Sequence, residues 1–266
     1  MDKIIFKILI IIGVFFAALF TIQQIDWMAI FNIEDNISST EEKIGEVFWE
    51  YFHKNNKEVD LEEVVFPLDS LFSIICEENN INSDDITLHI IDSKEVNAFA
   101  LPNKHLIINT ALLLEVKNEA ELSGVIGHEL AHIQLDHVMK KLVKEMGLAV
   151  LISMTAGNGN TQVIIESLKT LTSSAYDRSL EEEADLKSVN YLIKADIDPT
   201  AFADFLYTLS GSNSELEEYL SWVSTHPYPK ERAETIINYC EELEYKKEQV
   251  LDSATWNNLI KSVKNL

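Results

Sequence analysis

Basic side chains are scarce in this chain. Its 21 Lys and Arg face 44 Asp and Glu, leaving a formal net charge of −23 over 266 residues. Such a surface repels phosphate backbones, which excludes nucleic acid as an expected partner. It also disfavours adhesion to anionic lipid by charge alone, so membrane attachment requires a dedicated apolar segment. Cysteine is equally scarce. Cys76 and Cys240 make neither a disulfide framework nor a CxxC metal site. A bridge between them needs an oxidising compartment, and two buried thiols are the simpler reading. Internal repeats and disorder-prone stretches are absent too. With 47% hydrophobic and 24% charged residues, the composition suits a globular chain able to bury a core.

The apolar segment is at the start. Ile8 to Ile22 run almost without polar interruption behind Lys3 and Lys7. A positive flank before an apolar stretch is the pattern of a signal peptide or an uncleaved signal-anchor. It retains the N-terminus in the cytoplasm and sends the rest across, to a periplasmic or other extracytoplasmic space. Counted from Ile4, the stretch approaches the ~20 residues of a membrane span. No clear A-x-A cleavage site and no nearby lipid-accepting cysteine follow, which favours the anchor. Residues 1–25 are therefore expected to form an N-terminal apolar helix that brings the membrane as a partner.

Residues 40–85 read as a helical leader. Ile44, Val47, Phe48, Tyr51 and Phe52 recur at helical spacing, and a second amphipathic stretch covers Leu61 to Glu78, with Pro67 as its start or interruption. From Ile86 the period becomes that of strands: 86–91, Asn97 to Leu101 and His105 to Asn109 predict a small antiparallel sheet. Lone His89 and His105 read as surface or packing residues. A long helix follows, capped by Asn118 with Glu121 three residues on, and continues past His137 towards Glu145. Gly124 and Gly127 inside it suggest close backbone packing. The apolar run Leu148 to Ala156 is too short to span a bilayer and reads as a buried hairpin or a flap. Another helix covers Thr161 to about Ala195, broken near Ser173-Ser174, and Asp198-Pro199 opens the next. The tail, 243–266, is expected to be a charged, solvated helix. The fold class is α+β: a mostly helical domain over 86–242 with a small antiparallel sheet, behind an N-terminal apolar helix.

His128-Glu129-Leu130-Ala131-His132 is H-E-x-x-H. Histidines four apart project from one face of a helix and reach one metal ion. Glu129, rotated off that face, stands beside the water that zinc activates and takes its proton. A chance match is expected on the order of a few hundredths of a time in a chain of this composition, so the motif needs company. Catalytic zinc requires a third protein ligand. Glu181 and Asp185, one helical turn apart, offer one carboxylate for the metal and one for a ligand histidine's second N–H. Their alternative is an acidic solvent-facing helix. His137, off the ligand face, is not read as a ligand.

Four blocks resemble the HtpX-like and BepA-like zinc metallopeptidases, the wider family that includes the CAAX prenyl proteases. Asn97-Ala98-Phe99-Ala100-Leu101-Pro102 resembles its N-A-F-A-x-P strand above the active site. His128 to His132 matches the zinc helix. Arg178-x-x-Glu181-x-x-Ala184-Asp185 matches S-R-x-x-E-x-x-A-D, and Thr225-His226-Pro227 with Arg232 resembles its T-H-P block. The resemblance implies one Zn2+ on His128, His132 and Glu181, with Asp185 supporting a ligand histidine and Glu129 as general base and later proton donor. It suggests His226 or Arg232 at the oxyanion, or His226 on the metal at rest. Asn97, Ala98, Phe99 and Ala100 are expected to pair with an extended protein or peptide substrate. Asp177, Asn103-Lys104 and Ala195-Asp196 depart from the family's usual Ser, turn glycines and Ala-Gly. The expected function is zinc-dependent endopeptidase action on extended or misfolded proteins in extracytoplasmic quality control. A zinc-stabilised, chaperone-like binding module is the alternative. A prenyl-protein protease is disfavoured because the chain lacks several membrane spans.

Overall fold

The computed structural model describes residues 33–154, 161–211 and 221–266, with side chains from residue 40 onward. The N-terminal apolar segment, and with it the expected anchor helix, lies outside the described residues. Among the described residues no helix is long and apolar enough to cross a membrane.

Residues 41–266 form one compact unit. Helix α1 (Ile33–Asn55) enters it, followed by α2 (Glu62–Glu78), which runs unbroken through the buried Pro67. A 3-10 turn leads to strands β1 (Thr87–Ile91), β2 (Ala98–Leu101) and β3 (His105–Asn109). After the short α3 (Thr110–Glu115) come α4 (Glu119–Gln134) and α5 (His137–Met146). Next are α6 (Leu148–Ser153), α7 (Thr161–Ser173), α8 (Arg178–Lys194) and α9 (Thr200–Ser210). The last three are α10 (Ser221–Thr225), α11 (Pro229–Glu241) and α12 (Ser253–Val263).

The sheet corrects an expectation: it is mixed, not antiparallel. Strand order is β1-β3-β2, with β2 antiparallel to β3 and β1 parallel to it. The β2–β3 connection is a tight turn, whereas β1 reaches its partner only after the chain has laid down β2 at the far edge. Leu88, Ile90, Leu106, Ile108, Ala98 and Ala100 share the face opposite His89, Ile107 and Phe99. That second face is roofed by α1, whose Trp49 stacks 3.6 Å from His89 and 5.2 Å from His105, and whose Phe52 meets Phe99 edge-on at 5.6 Å. Both histidines are consequently buried, with His89 Nε2 2.9 Å from His105 Nδ1 and His89 Nδ1 2.7 Å from Glu58.

The departures from the family's glycines keep the backbone that glycine would give. Asn103 (φ 61°), Lys104 (φ 57°) and Asp196 (φ 56°) all take the left-handed conformation. Asn and Asp tolerate it; for Lys104 it costs roughly 1 kcal/mol.

Three helical expectations change. The long helix ends at Gln134, and left-handed Asp136 (φ 56°) turns the chain before α5 begins. Leu148–Ser153 is helical instead of a hairpin, with Leu151 buried. The tail leaves α11 at Glu241 and runs without regular structure to α12; near its end the Val250 and Leu251 amides donate to buried Glu119. α12 buries Leu259 and Val263, so this is no solvated face. Cys76 and Cys240 are free and buried.

Candidate metal centre

Helix α4 is built as the sequence predicts. Asn118 Oδ1 accepts from Glu121 N at 2.9 Å, while Glu121 reaches back to Lys117 N at 2.8 Å, one residue beyond the usual capping-box donor. Its glycines are spacers. A Cβ on Gly124 would stand 2.5 Å from Phe202 Cβ, and one on Gly127 would stand 2.7 Å from Ser188 Oγ. The α4 backbone therefore lies close against α8 and α9, and α8 carries Glu181 and Asp185 to the histidines.

His128, His132, Glu181 and His226 each offer an atom within 4.8 Å of the others', and all four are buried. His128 Nε2 and His132 Nε2 are 3.0 Å apart, and His132 Nε2 is 3.3 Å from Glu181 Oε1. The opposite ring nitrogens face other groups: His128 Nδ1 is 3.0 Å from Asp185 Oδ1, and His132 Nδ1 is 3.0 Å from His137 Nδ1. With protons on those Nδ1 atoms, both Nε2 lone pairs and a carboxylate oxygen converge on one point. Neutral donors and an anion so placed repel one another unless a cation sits between them, and two imidazoles with a carboxylate suit zinc. The residues fit the metal.

The surrounding charges are arranged to match. Arg232 forks onto Asp185, with Nε 2.8 Å from Oδ2 and Nη2 2.7 Å from Oδ1, and sets Nη1 2.6 Å from Glu181 Oε2. Burial alone would raise both carboxyls. For Glu181 it is outweighed by His226, Arg232 and hydrogen bonds, and for Asp185 by Arg232 and His128, so both are lowered. Among the described residues no Lys or Arg forms an ion pair with Glu129. Burial pushes its carboxyl well above the usual range, opposed by a 3.2 Å hydrogen bond from Trp222 Nε1 and, only from a distance, by Arg232 and Lys141. Its Oε2 has no hydrogen-bond partner. One carboxylate oxygen is thus held and the other is left unpaired.

His226 sits within the cluster, Nδ1 3.0 Å from Glu181 Oε1 and Nε2 3.3 Å from Glu129 Oε1. Burial pulls its imidazole down to about 4. Trp222 stacks on His226 at 4.5 Å, and Tyr176 stacks on His132 at 4.1 Å. Lys141 Nζ stands 4.0 Å from the Tyr176 ring and donates to Leu171 O and Ser174 O. Trp222, Tyr176, Lys141 and His137 escape the motif-based reading. Their signal is positional: Trp222 lies one helical turn before His226, and Tyr176 two residues before Arg178.

The expected substrate strand is the sheet's edge. Ala98, Phe99 and Ala100 lie in β2, and Asn97 just before it accepts from Asn109 N at 3.1 Å. Val96 O accepts from Trp222 N at 3.1 Å, which ties α10 to the chain entering that strand. On another side, a cleft of about 220 Å³ between α8 and α11 reaches Glu181, Asp185 and Arg232.

Comparison with known proteins agrees with this geometry. The family model described as "Peptidase family M48" matches residues 68–239. Mitochondrial metalloendopeptidase OMA1 of Bos taurus is 32% identical over 164 residues, 55% of this chain and 31% of that protein. Metalloprotease LoiP of Escherichia coli K12 is 30% identical over 166 residues, 59% of this chain and 64% of that protein. The beta-barrel assembly-enhancing protease of Yersinia pestis is 26% identical over 167 residues, 58% and 34% respectively. The chain thus spans from about a third to just under two thirds of these relatives. With more than half of its length matched by the family model, the chain belongs to peptidase family M48.

Proposed function

We propose that this protein is a zinc-dependent endopeptidase that cuts extended or misfolded protein chains. The observation that carries the reading is the convergence of His128 Nε2, His132 Nε2 and Glu181 Oε1 beside Glu129. Zinc at that point would polarise a water and the scissile carbonyl. Glu129 accepts the water's proton on its open oxygen and returns it to the departing amine. Asp185 orients His128 through Nδ1 and fixes its tautomer. Arg232 is fully engaged with Asp185 and Glu181, so we assign it to holding these carboxylates and give His226 the oxyanion.

We assign substrate to the edge of β2 that no other described strand pairs, through backbone hydrogen bonds that suit sequence-tolerant recognition; Ala98, Phe99 and Ala100 are buried, so that edge has to be uncovered first. The centre as described is closed. His128, Glu129, His132 and His226 are 0% exposed, with Trp222 and His226 over the base. Engagement of the β2 edge up to Val96 requires Trp222 N to let go, so binding there and opening of the centre act on the same short helix.

An extracytoplasmic quality-control role is the setting we propose, supported by the apolar segment behind Lys3 and Lys7 and by a relative named for β-barrel assembly. Complete burial of Glu129 is the one observation that favours the second reading, a chaperone-like module that binds without turnover.

The test is purified protein with unfolded casein. The proposal expects bound zinc, cleavage abolished by a chelator and restored by zinc, and loss of zinc in Glu181→Ala. Cleavage indifferent to chelation would refute it, and casein binding with zinc present but without cleavage would establish the module.

A further inference from the structure

We propose that His137 and Glu183 are positioning residues for His132, forming a relay that fixes which of its ring nitrogens faces the metal. This rests on the reading of His132 as a ligand.

On a continuous helix, residues five apart lie about 140° apart around the axis, so His137 could not face His132. The chain does something else. α4 ends at Gln134, Asp136 takes φ 56° and ψ 26°, and His137 opens α5 folded back onto the metal helix. A left-handed non-glycine residue costs roughly 1 kcal/mol, less for Asp than for most. What the turn achieves is one contact: His137 Nδ1 stands 3.0 Å from His132 Nδ1, with His137 fully buried.

Proton bookkeeping gives the direction. As a metal ligand His132 offers the lone pair of Nε2, the nitrogen beside Glu181 and His128, so its proton is on Nδ1 and donates to His137 Nδ1. His137 therefore carries its own proton on Nε2, which lies 3.3 Å from Glu183 Oε2. The two ligand histidines are thus supported differently by one helix. α8 supplies Asp185 directly to His128 and Glu183 to His132 through an intervening imidazole. A group that accepts a ligand histidine's outer N–H fixes its tautomer and raises its basicity.

The experiment is zinc affinity of the full-length protein, by competition with a chromogenic chelator, in His137→Phe, His137→Asn, Glu183→Ala and His132→Ala. Phe keeps a ring but removes the acceptor, and Asn places an amide oxygen near the lost Nδ1. The relay predicts zinc binding weakened about 10–100-fold in H137F, largely recovered in H137N, and weakened by a smaller factor in E183A. The thermal midpoint of the metal-free protein should stay level between H137F and H137N, because their difference lies at the metal. H132A should lose zinc most completely. Wild-type affinity in H137F alongside loss in H132A overturns the relay and leaves the ligand set standing. Wild-type affinity in H132A overturns the ligand set itself. If H137F does not fold, E183A decides, since that carboxylate is half exposed: unchanged zinc affinity there overturns the relay.

Discussion

Trp222 holds Glu129 from a helix that is tied to the chain entering β2. Its indole donates to Glu129 Oε1 at 3.2 Å while its backbone amide donates to Val96 O at 3.1 Å. One residue thus links Glu129 to the sheet edge.

The first prediction concerns that bond. It draws the Glu129 carboxyl down against burial, so Trp222→Phe moves it further up. The base is then ionised only at higher pH. The acid limb of the kcat/KM profile should shift upward, and kcat/KM near neutrality should fall roughly ten- to a hundredfold. A fall with an unmoved limb would assign Trp222 to packing alone.

Arg232 pairs with two buried carboxylates. Arg232→Ala leaves Asp185 and Glu181 uncompensated and should destabilise the protein by about 3–5 kcal/mol in urea unfolding. Arg232→Lys should recover little, because an ammonium cannot fork onto Asp185 while reaching Glu181. Full recovery in the Lys variant would contradict the bidentate account.

Away from the metal, burial and neighbouring His89 depress His105 from 6.5 to about 4. A depressed folded value means that the unfolded chain binds the extra proton first. The stability this group contributes is complete above about pH 6.5 and is lost as pH falls towards 4. The loss is roughly 3 kcal/mol at most, from the size of that shift. His105→Gln, which keeps a polar partner for His89, should flatten the slope of stability between pH 6.5 and 4. An unchanged slope would place the acid sensitivity elsewhere.

The close approach of α4 to its neighbours predicts an order of damage. Gly124→Ala drives a Cβ against the Phe202 Cβ, which cannot swing aside, and should cost about 1–3 kcal/mol. Gly127→Ala meets a Ser188 hydroxyl that can rotate away, losing its 3.0 Å bond to Gly124 O. Urea midpoints should therefore fall further for Gly124→Ala.

What could be read from the sequence was local or motif-borne. The capped helix with both histidines depends on residues within a few positions of one another, and Glu181 and Asp185 follow from one turn of helix. The parallel pairing of β1 with β3 was hidden, because strand periodicity identifies faces and not neighbours. His89 and His105 are covered by Trp49, which lies 40 and 56 positions earlier and which alternation alone does not supply. The break at Asp136 carries no glycine or proline to mark it, and with it went the contact between His137 and His132. Lys141 lies on a helix with three other lysines or glutamates near it, and only the carbonyls of Leu171 and Ser174 show why it is inside.

The central claim is that Glu129 is the base beside a metal held by its helical neighbours. The direct measurement is casein cleavage and zinc content in Glu129→Gln, which keeps the shape of the side chain and the acceptor for Trp222. The account predicts zinc bound as in the wild type, with cleavage reduced about 100-fold or more. Cleavage at the wild-type rate with zinc still bound would contradict it.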